Sequence, residues 1–357
     1  MTPGIIASLA ARGNAEYSLP NETARDCLRF LASALMRYNR PMRLPRKRVA
    51  QMVVFLLALG FLAVLVRSQW QALRHYPWQL APAWLALSYI PWGLSMALEI
   101  AMWRAILTRI ARVASATIAP RSLSWARAAQ IWFLSNIIRY IPGNIWQPLG
   151  MAQMCAEEGI PAEVTLTSVI VHQALSALAV TLLGVGYFAW AGHGEALRTL
   201  APLLVALPAV ALALRGRWLE MVLNLVLRRL GRPTLRIGLR SRALAALTLG
   251  YVASWSLIGL GFAMLVRALT PVGLEALPHL IASFALAWLV GYLSLLTPSG
   301  LGVREGAIVW LLGDILSLPV ATLASLAARL WFIAGEVMAL LPAFIGWQRR
   351  QEGTTDV

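Results

Sequence analysis

Two arginines stand beside breaks in otherwise apolar segments of the chain. Arg139 lies three residues before Pro142-Gly143, and Arg304 directly follows the segment 298–303, PSGLGV. A guanidinium group keeps its charge at physiological pH and offers a planar fork of hydrogen-bond donors, which suits it to phosphate. The spacing therefore predicts that Arg139 and Arg304 hold an anion such as a phosphate group.

Further ionisable residues lie within apolar segments. They are Glu99, His172, Glu305, Arg329 and Glu336. A charge at the centre of a bilayer costs roughly 2.5–3.5 kcal/mol on insertion scales, so such residues usually face a partner or a wet cavity. Glu305 or Glu336 can pair with the two arginines or carry a proton.

Simpler explanations exist for several of these residues. Arg139 can extend its side chain to an interface. Glu99 can pair with Arg104 five residues later, near the membrane edge. For His172 we favour a hydrogen bond between helices over a titrating role. Arg329 needs a partner, and Glu336 lies seven residues further on the same helical face.

No catalytic, metal or cofactor site is predicted. The sequence contains no Walker A loop and no cluster of Asp, Glu or His with metal-ligand spacing. Cys27 and Cys155 are too few and too far apart in sequence to build a disulfide framework. We therefore expect no cofactor and no direct use of ATP.

The composition indicates a membrane protein built from helices. Hydrophobic residues make up 59% of the 357 residues and charged residues only 13%, against about 25% charged residues in soluble domains. The apolar blocks are continuous rather than alternating, which excludes a β-barrel. We predict an all-α membrane bundle of seven or eight spans, because about 20 apolar residues cross a bilayer as a helix. The predicted spans are 49–66, 83–103, 164–190, 199–214, 243–266, 279–297 and 321–347, and the apolar stretch 306–318 is an eighth if 301–318 crosses fully.

The net charge of +16 lies mainly between the apolar blocks and in the first 48 residues. Positive residues concentrate on the cytoplasmic side of membrane proteins, so we expect both termini and the basic loops 104–127 and 215–242 to be cytoplasmic. This placement accounts for the charge without a nucleic-acid partner. Among the basic residues only Lys47 is a lysine, a bias that suggests a GC-rich bacterial genome and hence a bacterial inner membrane. We divide the chain into a basic segment 1–48, a membrane domain 49–347 and a tail 348–357.

One broken segment lies in each half of the membrane domain. Since the loops on both sides of 128–150 are predicted to be cytoplasmic, this segment is predicted to form a re-entrant hairpin. The second break, 297–302, has two interpretations. Either residues 279–318 form a V-shaped segment that opens outward, or residues 301–318 cross the membrane fully. Irregular backbone at membrane depth is tolerated only inside protein or beside a wet cavity, and paired Gly/Pro interruptions in two halves point to a transporter's binding site. We therefore predict inverted-repeat-like halves around a cavity.

Tryptophan is frequent in this chain, with 15 residues. Trp84, Trp92, Trp103 and Trp347 lie at or near predicted helix ends, where aromatic belts account for them. Trp146, inside the first broken segment, has no such explanation.

The two breaks carry the motifs of a known family. The first, RYIPGNIW at 139–146, with Gly150 and the later EGI at 158–160, resembles a signature of the lysylphosphatidylglycerol synthase transmembrane family. The second, PSGLGVREG at 298–306, is similar to that family's second signature. The resemblance covers about residues 49–347, and only ten residues follow Trp347, so we expect a stand-alone member without the soluble synthase domain.

The resemblance implies a flippase-like translocase that moves a phospholipid or lipid-linked precursor between leaflets. Its partners would be anionic or zwitterionic membrane lipids and enzymes of lipid or glycan synthesis. The residues expected to bind the substrate are Arg139, Tyr140, Pro142, Gly143, Asn144, Trp146, Pro298, Gly300, Gly302, Arg304 and Glu305.

Two other functions remain open at this point. An integral-membrane transferase would need a poised acid or base, and Glu157, Glu158, Glu305 and Asp314 are its candidates. A non-catalytic accessory subunit would use the basic loops to hold anionic lipids or a soluble partner. A transferase consumes its donor substrate in detergent, whereas an accessory subunit tolerates loss of Arg139 and Arg304.

Overall fold

The fold is formed by helices alone in the part of the chain that the computed structural model describes. That part comprises residues 67, 74–76, 81–114, 123–138, 146–192, 220–221, 224–225, 238–294, 300 and 302–352. Its helices are α1 Pro82–Ala114, α2 Trp125–Ile138, α3 Trp146–Ala156, α4 Ala162–Trp190, α5 Ser241–Leu269, a 3₁₀ turn Leu274–Ala276, α6 Leu277–Leu293, α7 Val303–Leu312 and α8 Leu318–Glu352. The predicted all-α class is confirmed.

Five segments are long and apolar enough to cross a membrane. They are α1, α4, α5, Leu274–Leu293 and Leu318–Pro342, and they coincide with five of the predicted spans. The predicted spans 49–66 and 199–214 lie outside the described residues. The chain is a multi-pass membrane protein.

The first broken segment consists of two helices that pack against each other. Residues 139–145, between α2 and α3, are outside the described part. Arg127, near the start of α2 and only 5% exposed, donates to Glu158 Oε1 at 2.7 Å and to Glu157 Oε2 at 2.8 Å. These two salt bridges tie the start of α2 to the turn that follows α3. Glu157 and Glu158, which were candidate acids for a transferase, are thus both ion-pair partners of Arg127.

The second broken segment ends in a helix that is too short to cross a bilayer. α7 has ten residues, or about 15 Å at 1.5 Å per residue, against a hydrocarbon core of about 30 Å. It packs against α6 on one side and α8 on the other. The geometry therefore favours the V-shaped arrangement over a full crossing by residues 301–318.

The helices are joined by hydrogen bonds from indole groups to serine hydroxyls. Trp103 donates to Ser168 at 3.2 Å, Trp255 to Ser176 at 2.9 Å and Trp331 to Ser88 at 2.8 Å. Each bond links two different helices. Hydrogen bonds between small polar side chains commonly hold helices together in membranes, because the hydrophobic effect gives no driving force for helix association within lipid.

The belt assignment of Trp92 and Trp103 is wrong. α1 continues to Ala114, so neither residue lies at a helix end. Trp92 is 4% exposed and Trp103 is fully buried. Both indoles fill space between helices, because α1 is 33 residues long and extends well past the predicted span.

Glycine substitutions can test the close packing of α1 against α5. A Cβ added at Gly261 would lie 2.9 Å from the backbone oxygen of Ser88, whereas one at Gly93 would meet nothing within 4 Å. We expect Gly261→Ala to lower the thermal unfolding temperature in detergent, because the backbone of α1 must move away. Gly93→Ala should leave it unchanged or raise it, since alanine favours helix by about 1 kcal/mol. Equal unfolding temperatures for the two variants would contradict this packing.

The reactivity of Cys155 can test whether α3 is buried. Cys155 has no exposed surface, and burial raises the pKa of its thiol to about 11. About one thiol in a thousand is then ionised at pH 8, and only the thiolate reacts. In a Cys27→Ser background we expect iodoacetamide to modify the native protein far more slowly than the unfolded protein, with a rate that rises with pH up to about 11. Similar rates for the native and unfolded protein would show that α3 is not packed as described.

Candidate functional site

A cavity of about 190 Å³ lies among the helices, and each of the eight described α-helices contributes to its wall. Its polar and charged lining residues are Ser95, Glu99, Asn136, Gln147, His172, Gln173, Ser176, Arg304 and Arg329. A largely apolar bundle therefore encloses a chamber with both signs of charge and several amide and hydroxyl groups. Such convergence of polar groups in one pocket is the usual mark of a binding site.

Both broken segments reach this cavity. The first provides Asn136 at the end of α2 and Gln147 at the start of α3, and the second provides Gly300 and Arg304. The sequence prediction that the two breaks meet at one cavity therefore agrees with the arrangement of their described residues. Its further parts, an inverted repeat and opposite entry faces, stay predictions.

Two glycines bring Arg304 to the cavity. A Cβ at Gly291 would lie 2.8 Å from Arg304 Cβ, and one at Gly300 would lie 2.6 Å from the backbone oxygen of Gly291. Gly300 also has a φ of 66°, a conformation that residues with a Cβ rarely adopt. The end of α6 and the start of α7 approach this closely because neither glycine has a side chain.

Glu305 forms an ion pair with Arg329 that joins α7 to α8. Arg329 Nη1 donates to Glu305 Oε1 at 2.6 Å, and the Gly302 amide donates to Glu305 Oε2 at 2.7 Å. The carboxylate is 1% exposed. The predicted pairing of Arg329 with Glu336 is therefore wrong, because α7 places a nearer carboxylate beside Arg329. The negative charge of Glu305 is therefore paired with Arg329.

A chain of amides joins α3, α2 and α8. Gln147 Nε2 donates to Asn136 Oδ1 at 2.6 Å, and Asn136 Nδ2 donates to Glu336 Oε1 at 3.3 Å. We call these three residues the amide bridge. It attaches the first broken segment to the last helix and gives the buried Glu336 carboxylate a hydrogen-bond donor.

Glu99 and His172 lie together on another part of the cavity wall. His172 Nε2 is 3.6 Å from Glu99 Oε2, and Ser254 donates to Glu99 Oε1 at 2.9 Å. The predicted pair of Glu99 with Arg104 is wrong, since Arg104 Nε donates to the Leu123 carbonyl. His172 Nδ1 is 2.7 Å from the Tyr251 hydroxyl, which is the bond between helices that the sequence favoured.

Aromatic rings form the apolar part of the wall. Trp255 and Trp288 meet edge to face with centroids 4.9 Å apart, and Trp288 stacks on Tyr292 at 5.5 Å. Trp132 packs edge-on against the His172 ring. These rings fix the shape of the cavity, because stacked aromatic side chains have few alternative positions.

Several of the predicted site residues fall outside the described part of the chain. They are Arg139, Tyr140, Pro142, Gly143, Asn144 and Pro298. Trp146 begins α3 and is 39% exposed; it is not among the residues that line the cavity. Asp314 lies exposed in the turn after α7. Among the described residues, no group of three His, Cys, Asp or Glu side chains is placed to hold a metal ion.

Sequence reasoning missed Asn136 and Gln147. Both are polar residues in an apolar stretch and flank the first break, so their position was a usable signal. The contributions of Trp255 and Trp288 had no comparable signal, because tryptophan is frequent throughout the chain and its pairing depends on helix rotation.

Comparison with protein families identifies a match over most of the membrane region. The model described as the lysylphosphatidylglycerol synthase TM region matches residues 49–334, which is more than half of the chain. Every cavity-lining residue lies within that range. No curated protein and no solved structure matches the chain.

The buried ion pair generates a test. Glu305→Gln should lower stability by about 3 kcal/mol, because removing one partner of a buried pair leaves the other charge without compensation. The double variant Glu305→Gln/Arg329→Gln should regain part of that loss, since neither charge remains. Thermal unfolding in detergent measures both, with Glu275→Gln on the exposed 3₁₀ turn as the control. A loss in the double variant equal to the sum of the losses in Glu305→Gln and Arg329→Gln measured singly would argue against the pair.

Proposed function

The chain belongs to the lysylphosphatidylglycerol synthase transmembrane family, and on that premise we propose that it is a flippase-like lipid translocase. The family relates it to lipid modification or transport. In our proposal the head group of a phospholipid or lipid-linked precursor passes through the cavity while its acyl chains stay in the bilayer. The observation that carries the proposal is that both broken segments line one cavity, which combines charged and amide groups with a mainly apolar wall.

The size of the cavity supports a head group as its occupant. Its volume of about 190 Å³ is below the range of about 300–1,000 Å³ that is usual for drug-sized ligands. A whole lipid does not fit, and a head group alone needs less room. Long alkyl chains need no protein enclosure in a membrane, since the bilayer itself solvates them.

Arg304 is proposed to bind the phosphate. Its position at the cavity is set by the close approach of α6 and α7 at Gly291 and Gly300. Arg329 also lines the cavity and forms its ion pair with Glu305 there. Hydrogen bonds from Asn136 and Gln147 would complete recognition of the polar head group, and Arg139 is proposed to approach from the first break.

We further propose a bacterial inner membrane location with both termini in the cytoplasm. The support is the distribution of arginine along the sequence, because positive residues concentrate in cytoplasmic loops. Membrane lipids are the proposed partners, and enzymes of lipid or glycan synthesis would supply or consume the transported lipid.

Mass spectrometry of co-purifying lipids tests the assignment of Arg304. We expect one lipid class to be enriched with the wild-type protein and reduced roughly tenfold or more with Arg304→Ala, because a hydrogen bond to a charged group contributes about 1.5–3 kcal/mol. Arg139→Ala tests the sequence prediction for the first break in the same way. Arg112→Ala, at the exposed end of α1, serves as the matched control.

The outcomes separate the three functions. If all variants carry the same bulk lipids, the arginines are structural and the accessory-subunit function gains support. If one lipid is enriched with the wild-type protein, it should be moved between leaflets when the protein is reconstituted in vesicles. A lipid that binds but is not moved would contradict translocation. Consumption of a donor substrate in detergent would instead identify a transferase.

A further inference from the structure

A carboxylate and an imidazole stand side by side on the cavity wall and play no part in the proposed phosphate contact. Glu99 of α1 is 7% exposed and His172 of α4 is 5% exposed. Their nearest oxygen and nitrogen atoms are 3.6 Å apart, and both residues line the cavity. The pair is therefore shielded from bulk solvent but faces the proposed route of the head group.

Hydroxyl groups surround the pair and supply its hydrogen-bond partners. Ser254 donates to Glu99 Oε1 at 2.9 Å, and its hydroxyl is also 2.9 Å from the Ser95 hydroxyl. His172 Nδ1 is 2.7 Å from the Tyr251 hydroxyl. When that hydroxyl donates to Nδ1, the imidazole N–H is on Nε2 and faces the Glu99 carboxylate.

This arrangement accommodates one additional proton without a change in helix packing. A distance of 3.6 Å is longer than a normal hydrogen bond of 2.7–3.2 Å, so an ion pair can tighten when the imidazole becomes charged. A proton on Glu99 instead removes the buried charge, which is otherwise expensive to keep away from water. Tyr251 can reverse from donor to acceptor, since a phenol serves in either role.

The other charged groups at this cavity belong to different helices. Arg304 of α7 and Arg329 of α8 line it, and Glu305 of α7 is bonded to Arg329. Glu336 of α8 accepts from Asn136 of α2. Tyr251 of α5 is the titratable group in contact with His172, while α3 and α6 contribute uncharged residues to the lining. Among the described residues the Glu99–His172 pair is thus the acid–base pair that faces the cavity directly.

We propose that Glu99 and His172 form a proton-binding site and that its occupancy is coupled to the passage of the lipid head group. The coupling rests on the proposed translocase function, whereas the proton site itself does not. A head group that enters the cavity alters the electrostatic surroundings of the pair and thus its affinity for a proton. By reciprocity the proton alters the affinity for the head group by the same factor.

Infrared titration of the purified protein in nanodiscs of uncharged lipid tests the proton site. We expect a carbonyl band of a protonated carboxylic acid that appears as pH falls. Glu99→Gln should abolish this band, and His172→Asn, which preserves a partner for Tyr251, should shift its midpoint. Glu275→Gln changes an exposed carboxylate outside the cavity and should leave the band in place. Should Glu99→Gln fail to fold, Glu99→Asp keeps a carboxyl group and must shift the band.

The site is disproved if no buried carboxylic acid titrates, or if the band persists unchanged in Glu99→Gln; its disappearance in Glu336→Gln instead would assign it to Glu336. Coupling is measured separately, by lipid movement in vesicles with an imposed pH gradient. A gradient should change the rate, and Glu99→Gln should remove that response. A titrating pair in a protein that moves no lipid would support the proton site and overturn the translocase. Lipid movement that ignores the gradient would overturn the coupling.

Discussion

Polar groups buried in a membrane bundle must find their partners within the protein, because hydrocarbon offers no hydrogen bonds. The arrangement of this chain depends on that constraint. Glu305 is matched by Arg329, Glu99 by Ser254 and His172, and Glu336 by Asn136. Every one of these contacts joins different helices, most of them far apart in sequence. The same bonds that satisfy the buried groups therefore fix the positions of the helices around the cavity.

The cavity combines two kinds of chemistry from the two halves of the chain. The first half provides the carboxylate and imidazole of Glu99 and His172, and the second half provides the guanidinium groups of Arg304 and Arg329. The amides of Asn136 and Gln147 are neutral and can donate or accept. A head group inside would therefore meet donors and acceptors from opposite ends of the sequence, and neither half alone forms a complete wall.

The sequence was sufficient for the class of protein and for the positions of five spanning segments, because long apolar blocks and arginine-rich loops are local signals. It also identified the breaks, since proline and glycine interrupt helices whatever surrounds them. The pairings were harder to predict. Arg329 was assigned to Glu336 because both lie on one helical face, but the true partner, Glu305, comes from another helix. For Glu99, the nearby Arg104 was one of the partners considered. Spacing along one helix cannot reveal a contact that depends on how neighbouring helices are rotated.

The amide bridge has a mechanical consequence. Gln147 belongs to α3, Asn136 to α2 and Glu336 to the last helix, while α2 also packs along α8. A tilt of α2 and α3 must carry α8 with it or break a buried hydrogen bond, which costs about 1–3 kcal/mol when a polar group is left without a partner. α8 also holds Arg329 and, through it, α7. The polar contacts of both breaks thus converge on α8, so a movement of that helix would be felt at both sides of the cavity.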